Sequence, residues 1–258
     1  TLEVYLAGGA VIRFLNYLQL ITWLFVVVSA FLMLTAIHMV IRRATATIND
    51  TNETMASLNE RLAESNAYLN QTGVGTVNAF LSALDAKDRY TAQHSVNVAT
   101  YVEKIARKLG LTPQDLELVR EAALLHDIGK IGVPENVLNK PGKLNSDEYE
   151  MIKRHSEIGA EIIHSIYFLE EVAEIIRYHH ERVDGSGYPK GMVGEEIPLT
   201  ARILAVADVY DALTTDRPYR KAMSPQQAKA ILVAEAGKNF DPAVVKALCA
   251  VIAEEVAA

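Results

Sequence analysis

The stretch Ala122-Ala123-Leu124-Leu125-His126-Asp127-Ile128-Gly129-Lys130 decides how this chain is read. An apolar helical run ends there in an adjacent imidazole and carboxylate, followed by a glycine and a cation. His126 offers a nitrogen donor, Asp127 an oxygen donor, and Lys130 a positive charge close to both. Outward from this point the pattern is helical nearly throughout residues 74–258. Thr112-Pro113-Gln114-Asp115 predicts a helix start, with a capping residue and proline at the first helical position. Asn145-Ser146-Asp147 and Asp241-Pro242 predict two more. With no alternating strand-like run and no internal repeat, residues 74–258 read as one all-α domain large enough to bury a core.

Ligand-type side chains fall on the faces that should be buried. In the helix expected around Asn145–Ile166, His155 shares a face with Ile152, Gly159, Ile162 and Ile163. In the next helix His179 lines up with Val172, Ile175 and Ile176, and His180 is adjacent. After Thr91, His94 stands in line with Val98, Val102 and Ile105. In Leu199–Leu213, Asp208 shares a face with Leu204, Ala205 and Ala212. A carboxylate facing a core is costly unless it meets a cation or a metal. A single inward histidine is ordinarily a hydrogen-bonded core residue. Five helices that each aim such a group inward make a metal centre the better reading. Imidazole and carboxylate without thiolate suit iron, manganese, nickel or zinc rather than calcium. His38 and His164 show no such placement, and Glu181, Asp184 and Asp211 read equally well as partners of ligands or as helix caps.

The composition sets bounds. The chain has 258 residues, 50% apolar and 22% charged, with a formal net charge of −7. That balance excludes a disordered chain and gives no sign of binding a nucleic-acid polymer. A single cysteine, Cys249, excludes an internal disulfide and any cysteine-based zinc or iron–sulfur centre; its apolar helical neighbours predict a buried, inert thiol. Mean hydropathy is nevertheless +0.10, because apolar residues are concentrated near the start.

From Phe14 to Ile41 there are 28 residues without Asp, Glu, Lys or Arg. About 20 suffice to cross a bilayer as a helix, so residues 14–41 are expected to be a transmembrane helix behind an N-terminal segment, 1–13. Arg42 and Arg43 follow it and Arg13 precedes it, which places the C-terminal part in the cytoplasm by the positive-inside rule. The chain starts at Thr1 rather than Met, which predicts a fragment or processed form lacking an upstream sensor or span. Residues 42–73 form a polar linker. Ile48, Met55, Leu62 and Leu69 recur there every seven residues, with Leu58 at one intervening position and polar residues at the others. This predicts a short, imperfect parallel coiled coil, hence a homodimer contact, and Gly73 and Gly75 are expected to interrupt it as a hinge.

His126-Asp127 with a distant Asp208 resembles the HD phosphohydrolase superfamily. The run from His179-His180-Glu181 to Asp184-Gly185-Ser186-Gly187-Tyr188-Pro189 resembles the HD-GYP subfamily, bacterial cyclic di-GMP phosphodiesterases. Tyr90-Thr91-Ala92-Gln93-His94-Ser95, His126 to Pro134, Asn139 to Leu144, Asp208 to Leu213 and Arg217 to Lys221 extend the likeness over about residues 77–245. The resemblance implies that His94, His126, Asp127, His155, His179, His180 and Asp208 are metal ligands, with Asp127 bridging two divalent ions, iron or manganese before nickel or zinc. It implies that Lys130 contacts the scissile phosphate and that Tyr188, Arg217 and Arg220 contact substrate. Some relatives bind a third metal through a Glu where this chain has Tyr90, so two ions are expected. The implied activity is hydrolysis of cyclic di-GMP to the linear dinucleotide or GMP, at a bacterial inner membrane. The competing readings are an HD phosphohydrolase of another nucleotide and a catalytically idle nucleotide-binding signalling module. A hydrolysis assay with metal analysis separates all three.

Overall fold

Helix-start signals in the sequence are used as local chemistry demands. In the computed structural model, which describes residues 2–87, 91–166, 169–216 and 220–257, the Thr112 hydroxyl accepts the Asp115 N–H at 3.2 Å. Asn145 and Glu148 each accept the other's backbone N–H at 2.8 Å, and Asp241 accepts that of Ala243 at 2.7 Å. Each of these bonds satisfies an N–H that the first helical turn leaves open.

Among the described residues the α-helices run in the order α1 (Leu2–Lys87), α2 (Thr91–Leu109), α3 (Pro113–Leu125), α4 (Glu135–Leu138), α5 (Ser146–Lys153), α6 (His155–His164), α7 (Glu170–Tyr178), α8 (Leu199–Thr214), α9 (Pro225–Ala234) and α10 (Pro242–Ala257). Among the described residues there is no strand; isolated bridges pair Asp184 with Val193 and Ala236 with Phe240. The chain divides into two compact units, Thr1–Gln71 and Thr72–Ala258.

In the first unit every residue from 11 to 69 is exposed, including Ile48, Met55, Leu62 and Leu69. One helix, Val11–Gly73 within α1, is long and apolar enough to cross a membrane by length and composition. The expected interruption at Gly73 and Gly75 is absent, because α1 continues through both to Lys87. A glycine inside a helix costs only about 1 kcal/mol, a local penalty that does not by itself end a long helix.

In the second unit α2 packs on α3, α8 and α10, α6 packs on α7 and on the turn at Ile128–Gly132, and α3 packs on α7 and α8. The inward faces are the expected ones: Val98, Val102 and Ile105 in α2, Val172 and Ile176 in α7, and Leu204 in α8 are all buried. Phe80 packs against the same core. Two expectations need correction. The helix expected over Asn145–Ile166 is interrupted at Arg154, because the His155 ring takes the carbonyl of Ile152 at 2.6 Å, an acceptor that a continuous helix would use for its own ladder. Cys249 is half-buried rather than fully buried, lying at the margin of the core beside Leu248 and Val251.

Candidate metal centre

Three of the expected histidines occupy the same kind of position. His126 follows the last residue of α3, His179 follows that of α7, and His155 follows the turn that ends α5. The last carbonyls of a helix have no partner within it. Each ring uses one of them three residues back: Nδ1 of His126 meets the Ala123 carbonyl at 2.8 Å, and Nδ1 of His155 and His179 meet those of Ile152 and Ile176 at 2.6 Å. A carbonyl only accepts, so each Nδ1 carries a proton, which leaves Nε2 as the nitrogen turned towards the other rings. The same helix ends direct partial negative charge towards the rings, which favours a cation there.

The rings converge. His155 and His180 bring their Nε2 atoms to 3.2 Å, and the ring centres of His126 and His179 lie 5.3 Å apart. Two groups of donor atoms, His155/His179/His180 and His94/His126/Asp127, each lie within 4.8 Å of one another and are placed to hold a metal ion. Asp127 stands between the groups. Its Oδ2 is 3.5 Å from Nε2 of His126, and its Oδ1 is 3.8 Å from Nε2 of His155. Asp208 Oδ1 lies 3.1 Å from Nε2 of His94 and 4.0 Å from Nε2 of His126.

Electrostatics match this division. Burial lowers the pKa of His180 to about 3, reinforced by His155 and only partly opposed by Asp208 and Asp127. Burial and His180 hold His179 well below the ordinary range, and burial lowers His155 despite Asp127. These rings are therefore neutral at pH 7 and need shed no proton to act as ligands. His94 goes the other way. Burial opposes its charged form, yet bonds to Asp208 and Asp211 raise its pKa to about 9. Burial would raise Asp127, but Lys130, His126 and His155 hold it well below the carboxylate range; Asp208 is likewise lowered against burial, chiefly by His94. Two ionised carboxylates beside a ring that gains a proton mark a place that calls for positive charge.

The donor set fits a divalent transition ion. Imidazole nitrogens and carboxylate oxygens are the donors, without thiolate. The buried Nε2 of His179 has no hydrogen-bond partner among the described residues, which a bound cation would supply.

Around this centre Lys130 donates to Asp127 Oδ2 at 2.8 Å. The turn that carries it approaches α6 so closely that a Cβ at Gly129 would lie 1.8 Å from the His155 carbonyl oxygen, so only glycine fits. Lys87, near the end of α1, donates to the carbonyl of Ile131 in the same turn. Tyr188 stacks over His180 with ring centres 4.8 Å apart. The loop holding it is tied to Glu181, a buried carboxylate that accepts the N–H groups of Lys190, Gly191 and Met192 at 2.6, 3.1 and 3.0 Å. Arg220 donates to the Ala212 carbonyl at the end of α8. Arg217 and Tyr90 lie outside the described residues. Asp184 is exposed and accepts from Ser186. His164 is exposed and faces Glu170 at 3.5 Å, away from the centre. Sequence reasoning left Glu181 and Asp211 undecided; Asp211 in fact accepts from Nδ1 of His94 at 2.6 Å. A carboxylate one turn beyond Asp208 on the same helical face was the available signal.

A helical core with His126-Asp127 at its centre is the hallmark of one family: HD domain sequences match residues 45–244, and the chain belongs to the HD domain family. It is 43% identical over 194 residues, 74% of this chain and 51% of the relative, to the cyclic di-GMP phosphodiesterase response regulator RpfG of Xanthomonas campestris pv. campestris. It is also 43% identical over 172 residues, 67% of this chain and 37% of the relative, to 3'3'-cGAMP-specific phosphodiesterase 3 of Vibrio cholerae serotype O1. The crystal structure of a cyclic GMP-AMP-specific phosphodiesterase of V. cholerae matches with a TM-score of 0.56 at 23% identity, covering 69% of this chain and 48% of that one, a likeness of fold. The chain thus spans about half or less of the length of these relatives.

Proposed function

We propose that this chain is a metal-dependent phosphodiesterase that hydrolyses cyclic di-GMP to the linear dinucleotide or to GMP. The observation that carries the reading is the convergence of histidine Nε2 atoms on the two oxygens of Asp127, each oxygen facing a different donor group. In this reading His94, His126, Asp127 and Asp208 would hold one ion and His155, His179 and His180 a second, with Asp127 shared between them; iron or manganese is favoured, with nickel or zinc compatible. When bound, such a pair acidifies water and neutralises charge on a phosphate. The chain supplies the rest. Lys130, held at Asp127, stands ready to offset charge on the phosphate's equatorial oxygens. Tyr188, stacked on His180, presents an apolar ring face to a guanine. Arg217 and Arg220 match the guanine edge and the second phosphate.

Relatives at the same identity, named for 3'3'-cGAMP, support a second substrate, and both dinucleotides share this chemistry. The wider reading places residues 14–41 in the bacterial inner membrane, links them through residues 42–73 as a parallel homodimer, and puts the HD domain of residues 74–258 in the cytoplasm. The test uses the whole chain in detergent, with metal content measured beside hydrolysis of both dinucleotides. About two ions per chain and faster turnover of cyclic di-GMP support the reading. Faster turnover of 3'3'-cGAMP replaces the substrate, and metal without hydrolysis of either leaves an idle binding module.

A further inference from the structure

His94 stands apart from the other ligand candidates. It lies in the first turn of α2 rather than beyond a helix's last residue, and the carbonyls at that end serve the helix ladder. The device that orients His126, His155 and His179 is closed to it, and its orienting group must come from another element. That element is α8. Asp208 and Asp211 are three residues apart and share a face, and they grip the ring from both sides: Asp208 at Nε2, 3.1 Å, and Asp211 at Nδ1, 2.6 Å.

Asp211 is itself held. It is 2% exposed, and a buried carboxylate is costly without good partners. Its Oδ2 meets His94, and its Oδ1 accepts the hydroxyl of Thr215 at 3.1 Å. The N–H of Thr215 returns to the Asp211 carbonyl at 3.0 Å, so one residue at the end of α8 fixes both backbone and carboxylate.

Resting on the metal-dependent reading above, we infer that Asp211, braced by Thr215, is the positioning residue that makes His94 a ligand. An ionised carboxylate only accepts, so Nδ1 keeps its proton and Nε2, 3.1 Å from Asp208, is the nitrogen left to a cation that takes the place of the ring's second proton. The negative charge behind the ring also makes that nitrogen a stronger donor. Asp211 thus acts on the metal through His94 without touching it. Three rings of the centre are anchored by neutral carbonyls and this one by an anion, so the subsite of His94, His126 and Asp208 is the one that depends on a second helix for its geometry.

The test measures cobalt(II) affinity of the whole chain by chelator competition, together with the visible absorption of the bound ion. Asp211→Ala is expected to weaken binding at one subsite by about 10–100-fold and to change the absorption. Asp211→Asn, whose amide oxygen can still accept from Nδ1, is expected to recover most of that loss and to separate geometry from charge. Thr215→Val is expected to show a smaller loss. Asp241→Asn is the control: Asp241 pairs with Arg202 at 2.5 Å and caps α10, so its loss should lower thermal stability and leave cobalt affinity unchanged. Unchanged affinity and absorption in Asp211→Ala, or equal losses in Asp211→Ala and Asp241→Asn, overturn the inference. His126→Ala separates the two levels. If it loses cobalt while Asp211→Ala does not, only the role of Asp211 fails; if neither variant changes binding, the metal-dependent reading fails as well.

Discussion

The first 71 residues and the rest of the chain are both helical, yet they handle apolar and polar groups in opposite ways. In the HD domain apolar side chains such as Val98, Ile105, Ile176 and Leu204 are buried, and among them sit five buried residues of the centre: His94, His126, Asp127, His155 and His179. In the N-terminal unit the described apolar side chains, those of residues 11–69, are all exposed, and the 28 residues of Phe14–Ile41 contain no Asp, Glu, Lys or Arg. Helix formation is common to both. What differs is where the apolar surface goes: into a packed core in one, and onto the outside of a helix long and apolar enough by composition to suit hydrocarbon in the other. A polar group is expensive in either interior. The domain meets that cost with partners, whereas Phe14–Ile41 excludes charge altogether.

If the comparison is right, the two regions can be damaged separately. The largest effect is expected from Asp127→Ala, which removes both oxygens between the donor groups. Hydrolysis should fall at least about a thousandfold, roughly 4 kcal/mol of transition-state stabilisation, with metal content lowered and circular dichroism unchanged. Full activity with two ions per chain would refute the bridging role.

Gly129→Ala should come next. The added methyl has to displace the His155 carbonyl, which lies 1.8 Å from where it would sit, at a cost of roughly 3 kcal/mol. A thermal melt of the domain checks this, and an unaltered melting temperature would mean that the turn yields freely. Val27→Arg addresses the other region. A central arginine costs about 2.5–3.5 kcal/mol on insertion scales, so membrane fractionation should shift towards the soluble fraction while hydrolysis in detergent persists. Retention in the membrane would show that Phe14–Ile41 is not the anchor.

Double replacement of Arg217 and Arg220 by Ala should raise KM for cyclic di-GMP by about 10–30-fold, near 2 kcal/mol, with kcat less affected and metal content unchanged. An unchanged KM removes both from the substrate contacts.

The smallest effect concerns the join. Inserting one to four residues between Asn66 and Ala67 turns the helix beyond by about 100° per residue. Activity in membranes should vary severalfold and non-monotonically with insert length, and Leu62→Cys should cross-link two chains. A flat series would reduce the linker to a tether. Lys87, bonded to the Ile131 carbonyl beside Lys130, offers the turn a contact through which such a change could register.

Much of the fold was legible because its signals are local. Thr112, Asn145 and Asp241 cap the helices they were expected to cap, since a cap depends on residues two or three positions away. The inward placement of His94, His155, His179 and Asp208 followed from helical periodicity alone. The break at Arg154 was not legible, because the competition between the His155 ring and the backbone for the Ile152 carbonyl depends on which rotamer the packed site imposes. The continuity of α1 through Gly73 and Gly75 escaped for the opposite reason: a glycine's penalty of about 1 kcal/mol is too small to mark a helix end by itself.

The amino-acid sequence determined by itself the all-α class, the uncharged Phe14–Ile41 run, the candidate donors and their helical faces. These depend on spacing along the chain, which folding leaves unchanged. The tertiary structure alone decided which donors meet. It brought the ends of α3, α5 and α7 together so that their open carbonyls orient three histidines, placed Asp127 between two donor groups, and set Asp211 behind His94 across 117 positions of sequence. Glu181 was likewise joined to the backbone of Lys190–Met192 only by the fold of the loop. Such partners are chosen by distance in space, and a buried charge or lone pair takes whichever complementary group packing delivers within about 3 Å.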